Sequence, residues 1–480
     1  KDYPLNTKIK TRNQQTLPYI VQYEESDLEF LKRLSIRFGE WFFFNGTEVV
    51  FGEIPVVEHI LTLGSSLKEF RYELKAAPLK FQLFSQDPLH PKGETMYKYK
   101  SGNKKIESSL NLYGKHALNK SEELFPLESN DYYEHLNVDD SDYQKGLDEV
   151  GEIIETADAV NLADISGSSA FGLLAAGVYV KINCPKKDGK NKMDYGRYLV
   201  TSVHHNMDNT MHYSNTFTAI PGETVIPENT DPYFVRTSSN QLGIVKDNKD
   251  PKKLGRVKLS FWWMEDKQST PWVKVLAPYS VKDGGFYFVP PIKSRILAGF
   301  EDGDVEKPYC FGTLHDEVTN PEASWAGNYD DDHANIHAIR TRNGQTIELH
   351  DASGKEKIKI YDSKNNKYSV EFDTANQRIV LKSTGKICLE ASDIEIIAKK
   401  TIKIEAGETL TEKAVDIELE GQKTITEKAM DITVEASNSL SEKGMMVDLK
   451  ADMSLKAEGS MTEISGASMT TIKGGVVMIN

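Results

Sequence analysis

After Arg378 the chain has no arginine, no proline and no aromatic residue, since the last proline is Pro321 and the last aromatic is Phe372. The remaining hundred or so residues consist almost wholly of Ile, Val, Leu, Met, Thr, Ser, Glu, Lys, Ala, Asp and Gly. A globular core of that length normally contains aromatics. This tail repeats instead, with a period of fifteen residues. Leu410, Ile425, Leu440 and Leu455 share a column, Ile417, Ile432 and Val447 another, and Leu419, Val434 and Leu449 a third. The register extends back to Ile402/Ile404 and Ile387/Leu389, and forward to Thr462/Ile464 and Val477/Ile479. A second apolar site about half a period away makes the true step alternately eight and seven residues.

Each step reads apolar-x-apolar followed by small or polar residues. That spacing suits one short strand with one buried face and one corner, and a 3.6-residue helical stripe does not fit pairs such as Val447/Leu449. Two architectures satisfy the pattern. One chain can wind into a thin solenoid, or three identical chains can wind together and bury their apolar columns on a common axis too narrow for aromatics. From about residue 339, roughly 18 steps at ~4.8 Å each give a rod of about 85 Å. Outward Glu and Lys keep such a surface from pairing with neighbours.

The upstream chain is ordinary α/β in texture. Ser26 and Glu29 form a capping box, Leu28, Leu31, Leu34 and Phe38 make a helical stripe, and Gly39 ends it. Trp41–Phe44, Asn45-Gly46 and Glu48–Phe51 predict a hairpin. Tyr143, Leu147, Val150 and Ile154 predict a second helix, and Tyr198–His204 with His212–Ala219 two strands. Between Gly243 and His315, alternation at Val257, Leu259, Phe261 and Trp263, then strands at 272–276, 286–289, 295–300 and 309–314, predict a small barrel of the oligonucleotide/oligosaccharide-binding (OB) type. Thr319–Asn335 reads as a linker.

Composition excludes several functions. The 480 residues carry 58 basic and 72 acidic side chains, a net charge of −14, which disfavours nucleic acid and anionic membranes. Cys184, Cys310 and Cys388 are too far apart for a zinc set or a disulfide framework, which suits a reducing compartment. His204, His205 and His212 are weak metal candidates, because adjacent strand residues point to opposite faces. Asp330–Asp332 with His333 lacks a calcium loop's glycine-spaced ladder. Gly167–Gly172 is neither a phosphate loop nor a nucleophile elbow, and reads as a turn before a strand. Trp262, Trp263 and Trp272 are better suited to subunit packing than to stacking bases. No catalytic, cofactor or metal residue stands out, so no enzyme activity and no cofactor are expected.

Several segments resemble VgrG, the valine-glycine repeat spike protein of type VI secretion systems, which is related to contractile phage tail hub and spike proteins. They are Val21–Leu31 with Gly39–Phe42, Tyr198–His205, Tyr213–Phe217 with Ala219–Pro221, Gly255–Leu259, Trp272–Val275, Pro308–Gly312 and the ending Lys473–Asn480. The resemblance implies a mainly β, multidomain chain: an α/β phage-tail-hub-like base at 1–235, with a further family segment upstream of Lys1, an OB-fold barrel at 236–318, a linker at 319–338, and a trimeric intertwined β-helix or β-prism at 339–480. It selects the three-chain architecture, with Ile387, Leu389, Ile402, Ile404, Leu410, Ile417, Leu419, Ile425, Ile432, Val434, Leu440, Val447, Leu449, Leu455 and Ile464 as the trimer core. It also implies a homotrimeric puncturing spike on an Hcp-type tube and baseplate, assembled in the bacterial cytoplasm and driven out into the target envelope with effector or adaptor proteins. Gly474, Gly475, Val476, Val477, Met478, Ile479 and Asn480 form the tip that accepts a PAAR-repeat cap. The alternatives are the spike of a phage tail or extracellular particle, and a glycan-binding or glycan-degrading tailspike.

Overall fold

The computed structural model describes residues 6–479 apart from 15, 88–95, 103–104, 109, 139–141 and 187–191. The chain divides into two units, Lys1–Gly385 and Lys386–Asn480.

The first unit opens with β1 (Thr7–Lys10) and α1 (Asp27–Phe38), followed by β2 (Phe42–Phe44) and β3 (Val49–Gly52). Local chemistry sets both ends of α1. The Ser26 hydroxyl accepts from the Glu29 amide while the Glu29 carboxylate accepts from the Ser26 amide, and Gly39 closes the helix at φ 64°. The β2–β3 hairpin pairs Phe42 with Phe51 and Phe44 with Val49, and the Asn45 carboxamide ties its turn by accepting from the Thr47 and Glu48 amides. β1 adds to β3 in parallel.

The main sheet of this base has six strands: β4 (Glu58–Thr62), β5 (Leu67–Leu74), β9 (Ala163–Ser169), β10 (Tyr179–Pro185), β11 (Lys192–Met207) and β12 (Tyr213–Pro221). Their order is β4-β10-β11-β12-β9-β5. Leu61, Ile165, Val180, Ile182, Tyr198, Val200 and Phe217 fill its core. A smaller sheet of β6 (Phe81–Ser85), β7 (Tyr97–Lys100) and β8 (Ser129–Tyr132) has the order β7-β6-β8. It packs against α4 (Tyr143–Val160), which buries Leu147 as its period predicts and also contacts α2 (Lys105–Ser108) and α3 (Leu112–Leu124). Gly167–Ser169 ends β9 and the turn follows it, so the expected turn-before-strand is corrected by three residues.

The barrel segment contains β13 (Gln241–Asp247), β14 (Lys258–Phe261), β15 (Ser280–Val281), β16 (Gly284–Gly285), β17 (Arg295–Phe300) and β18 (Pro308–Thr313). The sheet β14-β13-β17-β18 remains open between its edges. The expected strand at 272–276 is two isolated bridges, Val257↔Val273 and Val275↔Cys310, that span from one edge to the other. Phe286–Val289 forms no strand; the pairing there is a two-residue hairpin, Ser280–Val281 with Gly284–Gly285, which the Phe286 amide extends by donating to the Tyr279 carbonyl at 3.0 Å. Val245, Val257, Leu259, Phe261, Val273, Ile296 and Cys310 make the core. Arg256, within the family-like Gly255–Leu259 stretch, forks onto Asp250 at 2.8 and 3.1 Å. That fork, with the Leu254 and Arg256 amides, holds the Asp250 carboxyl far below its usual range and fixes the β13–β14 loop.

Residues 319–335 are more ordered than a linker. They hold α5 (Ala323–Ala326) and a hairpin of β19 (Tyr329–Asp330) and β20 (His333–Ala334). Next comes a five-stranded antiparallel meander: β21 (Ile336–Arg340), β22 (Gln345–His350), β23 (Lys357–Asp362), β24 (Tyr368–Asp373) and β25 (Arg378–Ser383). The sequence places this stretch in the needle from 339. Its strands instead pair with one another inside one chain, and the stretch without internal pairing begins at Lys386.

Candidate assembly surface

In residues 386–479 the fifteen-residue sequence period becomes a geometric one. Bends fall at Ser392, Gly407–Glu408, Gln422–Lys423, Ser437–Asn438, Asp452–Met453 and Ala467–Ser468. An alternate series falls at Lys399–Lys400, Val415, Met430, Met445, Ser460–Met461 and Gly475–Val476. The step is thus seven or eight residues, one extended segment per corner, as the sequence predicts. Among the described residues, no backbone hydrogen bond joins any two residues of this unit.

An extended backbone without partners leaves one donor and one acceptor per residue open, and such groups cannot be buried unpaired. The expected core residues Ile387, Leu389, Ile402, Ile404, Leu410, Ile417, Leu419, Ile425, Ile432, Val434, Leu440, Val447, Leu449, Leu455 and Ile464 are all exposed, between 51 and 74%. Residues 386–479 of a single chain therefore provide neither a core nor a ladder. Of the expected tip, Gly474–Ile479 is likewise open, and Asn480 lies outside the described residues.

The meander repeats the theme with its hydrogen bonds made. Cross-strand register stacks Ile339, Ile347, Ile360, Val370 and Leu381 in one row and Leu349, Ile358, Phe372 and Ile379 in the next, all on one face. Most of that face is exposed, with Ile379 at 68%. The opposite face is polar and covered: Trp325 Nε1 donates to Glu348 at 2.7 Å, Tyr361 donates to the same oxygen at 2.7 Å, and Arg340 lies 4.4 Å over the Trp325 ring.

A second feature, invisible in the periodicity, joins base to barrel. The β17–β18 turn, Glu301–Lys307, inserts into the base with Asp304 and Val305 fully buried. Glu306 accepts from Arg37 at 2.6 Å, Arg33 at 3.3 Å and Asn137 at 3.2 Å. Arg33 also donates to Glu25 at 2.8 Å, and His135 Nδ1 lies 3.0 Å from Asp304. Val305 N–H donates to the Arg236 carbonyl at 3.1 Å, and the Lys307 ammonium reaches the Glu134 carbonyl. Burial alone drives the Asp304 carboxyl up, but the His135 contact, the Glu306 amide and the Arg37 charge hold it below the usual carboxylate range. Burial opposes the Arg37 charge too, and Glu306 outweighs it. Helix α1 thus buries Arg33 and Arg37 and leaves Leu28 and Leu31 exposed. The apolar stripe is present, but its first half points outward while Leu34 and Phe38 are half-buried.

The remaining candidates fall apart from one another. His204 and His205 sit in successive β11 positions opposite Thr216 and Asn215. His212 bonds Thr210 at 2.6 Å. Asp330–His333 forms the β19–β20 hairpin. Among the described residues, no group of three or more His, Cys, Asp or Glu could hold a metal ion. Trp263 stacks on Phe261 and donates to Gln241 at 2.8 Å, while Trp272 lies under Lys258.

Residues 241–315 match the family model of the type VI secretion system/phage-baseplate injector OB domain. That stretch is therefore similar to the OB domain of such injectors. The match falls on the open sheet and bridges described above and upholds the resemblance drawn from Gly255–Leu259, Trp272–Val275 and Pro308–Gly312. Solved structures with a loosely similar fold include the E. coli c3393 protein, a type VI secretion component similar to T4 bacteriophage tail proteins gp27 and gp5. It is 18% identical with TM-score 0.35, and the match covers 62% of each chain. A tail protein from Neisseria meningitidis MC58 is 10% identical with TM-score 0.30, over 47% of this chain and 64% of that one. The lidded Francisella PdpA–VgrG complex is 10% identical with TM-score 0.39, over 74% and 56%. The chain spans less than two thirds of each of these three.

Proposed function

We propose that three copies of this chain form the puncturing spike of a type VI secretion apparatus, a VgrG-type trimer seated on an Hcp-type tube and baseplate. The observation that carries the proposal is the needle: 386–479 presents apolar columns at a fixed step and an open backbone with no internal ladder. Sister strands around a common axis satisfy both needs at once, because each layer gains hydrogen bonds and a dry interior together. Bending such a rod breaks many bonds simultaneously, so the work is mechanical rather than catalytic.

In this reading the trimer assembles in the bacterial cytoplasm, is driven into a target envelope by sheath contraction, and carries effector or adaptor proteins with it. Its segment Gly474–Asn480 offers the exposed Val477 and Ile479 to a PAAR-repeat cap. Light scattering of the whole protein is expected to report three times the 54.0 kDa protomer. A monomeric mass overturns the proposal. Deleting 474–480 is expected to abolish capture of a PAAR-repeat protein while the trimer persists, and undiminished capture refutes the tip assignment. The matched family description spans phage baseplates as well, which favours a phage or extracellular-particle spike as the second reading. Release dependent on a type VI sheath separates the two.

A further inference from the structure

The needle sorts its side chains by redox chemistry. Residues 386–479 contain no Trp, Tyr, Phe or His, and the inward columns use only Ile, Leu, Val and Thr. Methionine is absent from those columns, although it fills irregular cores readily and seven of the chain's twelve fall between Met430 and Met478. Met430, Met445, Met453 and Met461 sit at bends, and Met446, Met469 and Met478 sit beside a column residue of opposite facing. Every one is at least 80% exposed, against 51–74% for the expected column residues from Ile387 to Ile464. Cys388, between Ile387 and Leu389, is exposed as well.

We propose that these methionines are modification sites for peroxide-type oxidants and that their placement lets the needle take up oxidant without loosening. This rests on the three-chain reading, which makes the columns the interior. The step is a two-electron transfer. The thioether sulfur attacks one peroxide oxygen, an S–O bond forms as the O–O bond breaks, the sulfur is oxidised to the sulfoxide, and the other oxygen leaves as water after proton transfer. A polar sulfoxide in a dry column disrupts packing, whereas at an outward corner it meets solvent.

The test treats the full-length protein with hydrogen peroxide, follows each methionine by peptide mass spectrometry and measures the melting of the trimer. All seven are expected to oxidise within about threefold of the rate in an unstructured peptide, with melting unchanged. Leu440→Met, which puts a thioether into a column, is expected to oxidise at least about tenfold more slowly and to lose trimer stability once oxidised. Slow oxidation of the native methionines in a proven trimer, or destabilisation of the native trimer by their oxidation, overturns the inference alone. A monomeric mass before any oxidant is added overturns the three-chain reading and this inference with it.

Discussion

Ile432→Asp is expected to convert the proposed trimer to monomers while base and barrel stay folded. The substitution removes an isoleucine worth about 2–5 kcal/mol where it is buried. It also brings three carboxylates together around one axis, each costing several kcal/mol in desolvation before any mutual repulsion. Symmetry multiplies the defect, because one codon changes three positions in one layer. The measurement separates the parts cleanly: with no aromatic after Phe372, near-ultraviolet circular dichroism reports only on residues upstream of the needle. Unchanged aromatic signals with a monomeric mass are the expected result. A persistent trimer with native melting shows that Ile432 does not face a shared interior.

Glu306→Ala is expected to weaken the joint between base and barrel by about 3–5 kcal/mol, since removing one partner leaves the buried Arg33 and Arg37 short of compensating charge. Glu306→Gln keeps the hydrogen-bond acceptor and is expected to lose less. Melting followed by aromatic circular dichroism, with proteolysis between residues 235 and 241, reads the effect; wild-type behaviour of the alanine variant denies the turn a coupling role. Acid acts in the same direction. The Asp304 carboxyl is held below its unfolded value, so its contribution is fully present above the ordinary carboxylate range and is lost as pH falls through the lower folded value.

The ends of α1 were readable because Ser26, Glu29 and Gly39 act on groups within four residues of themselves. Its orientation was not. A stripe of leucines says that one face seeks an apolar surface, but Arg37 is buried against Glu306, which arrives from some 270 residues away and shares Arg33 with the nearby Glu25. Nothing local to the helix announces that carboxylate. The needle's step was readable for the opposite reason, since every unit repeats the same local demand. Where pairing within the chain stops was not readable, because alternation by two serves a self-paired meander and an unpaired needle equally well. The distinguishing signal lay in the turns: Asn343-Gly344, Gly354, Asn365-Asn366 and Asn376-Gln377 mark hairpin reversals wider apart than the needle's corners. In the barrel, Val257, Leu259 and Phe261 gave their buried face away, while Trp272–Leu276 joins the two edges through single bridges that no propensity reveals.

The coincidence of bend and sequence at a fifteen-residue interval has an evolutionary consequence. Gaining or losing one whole unit carries every side chain to an equivalent place, so needle reach can change by a fixed increment without redesigning anything. An insertion of any other size throws all distal positions out of phase and turns greasy groups toward solvent. Length in such a molecule is inherited in quanta.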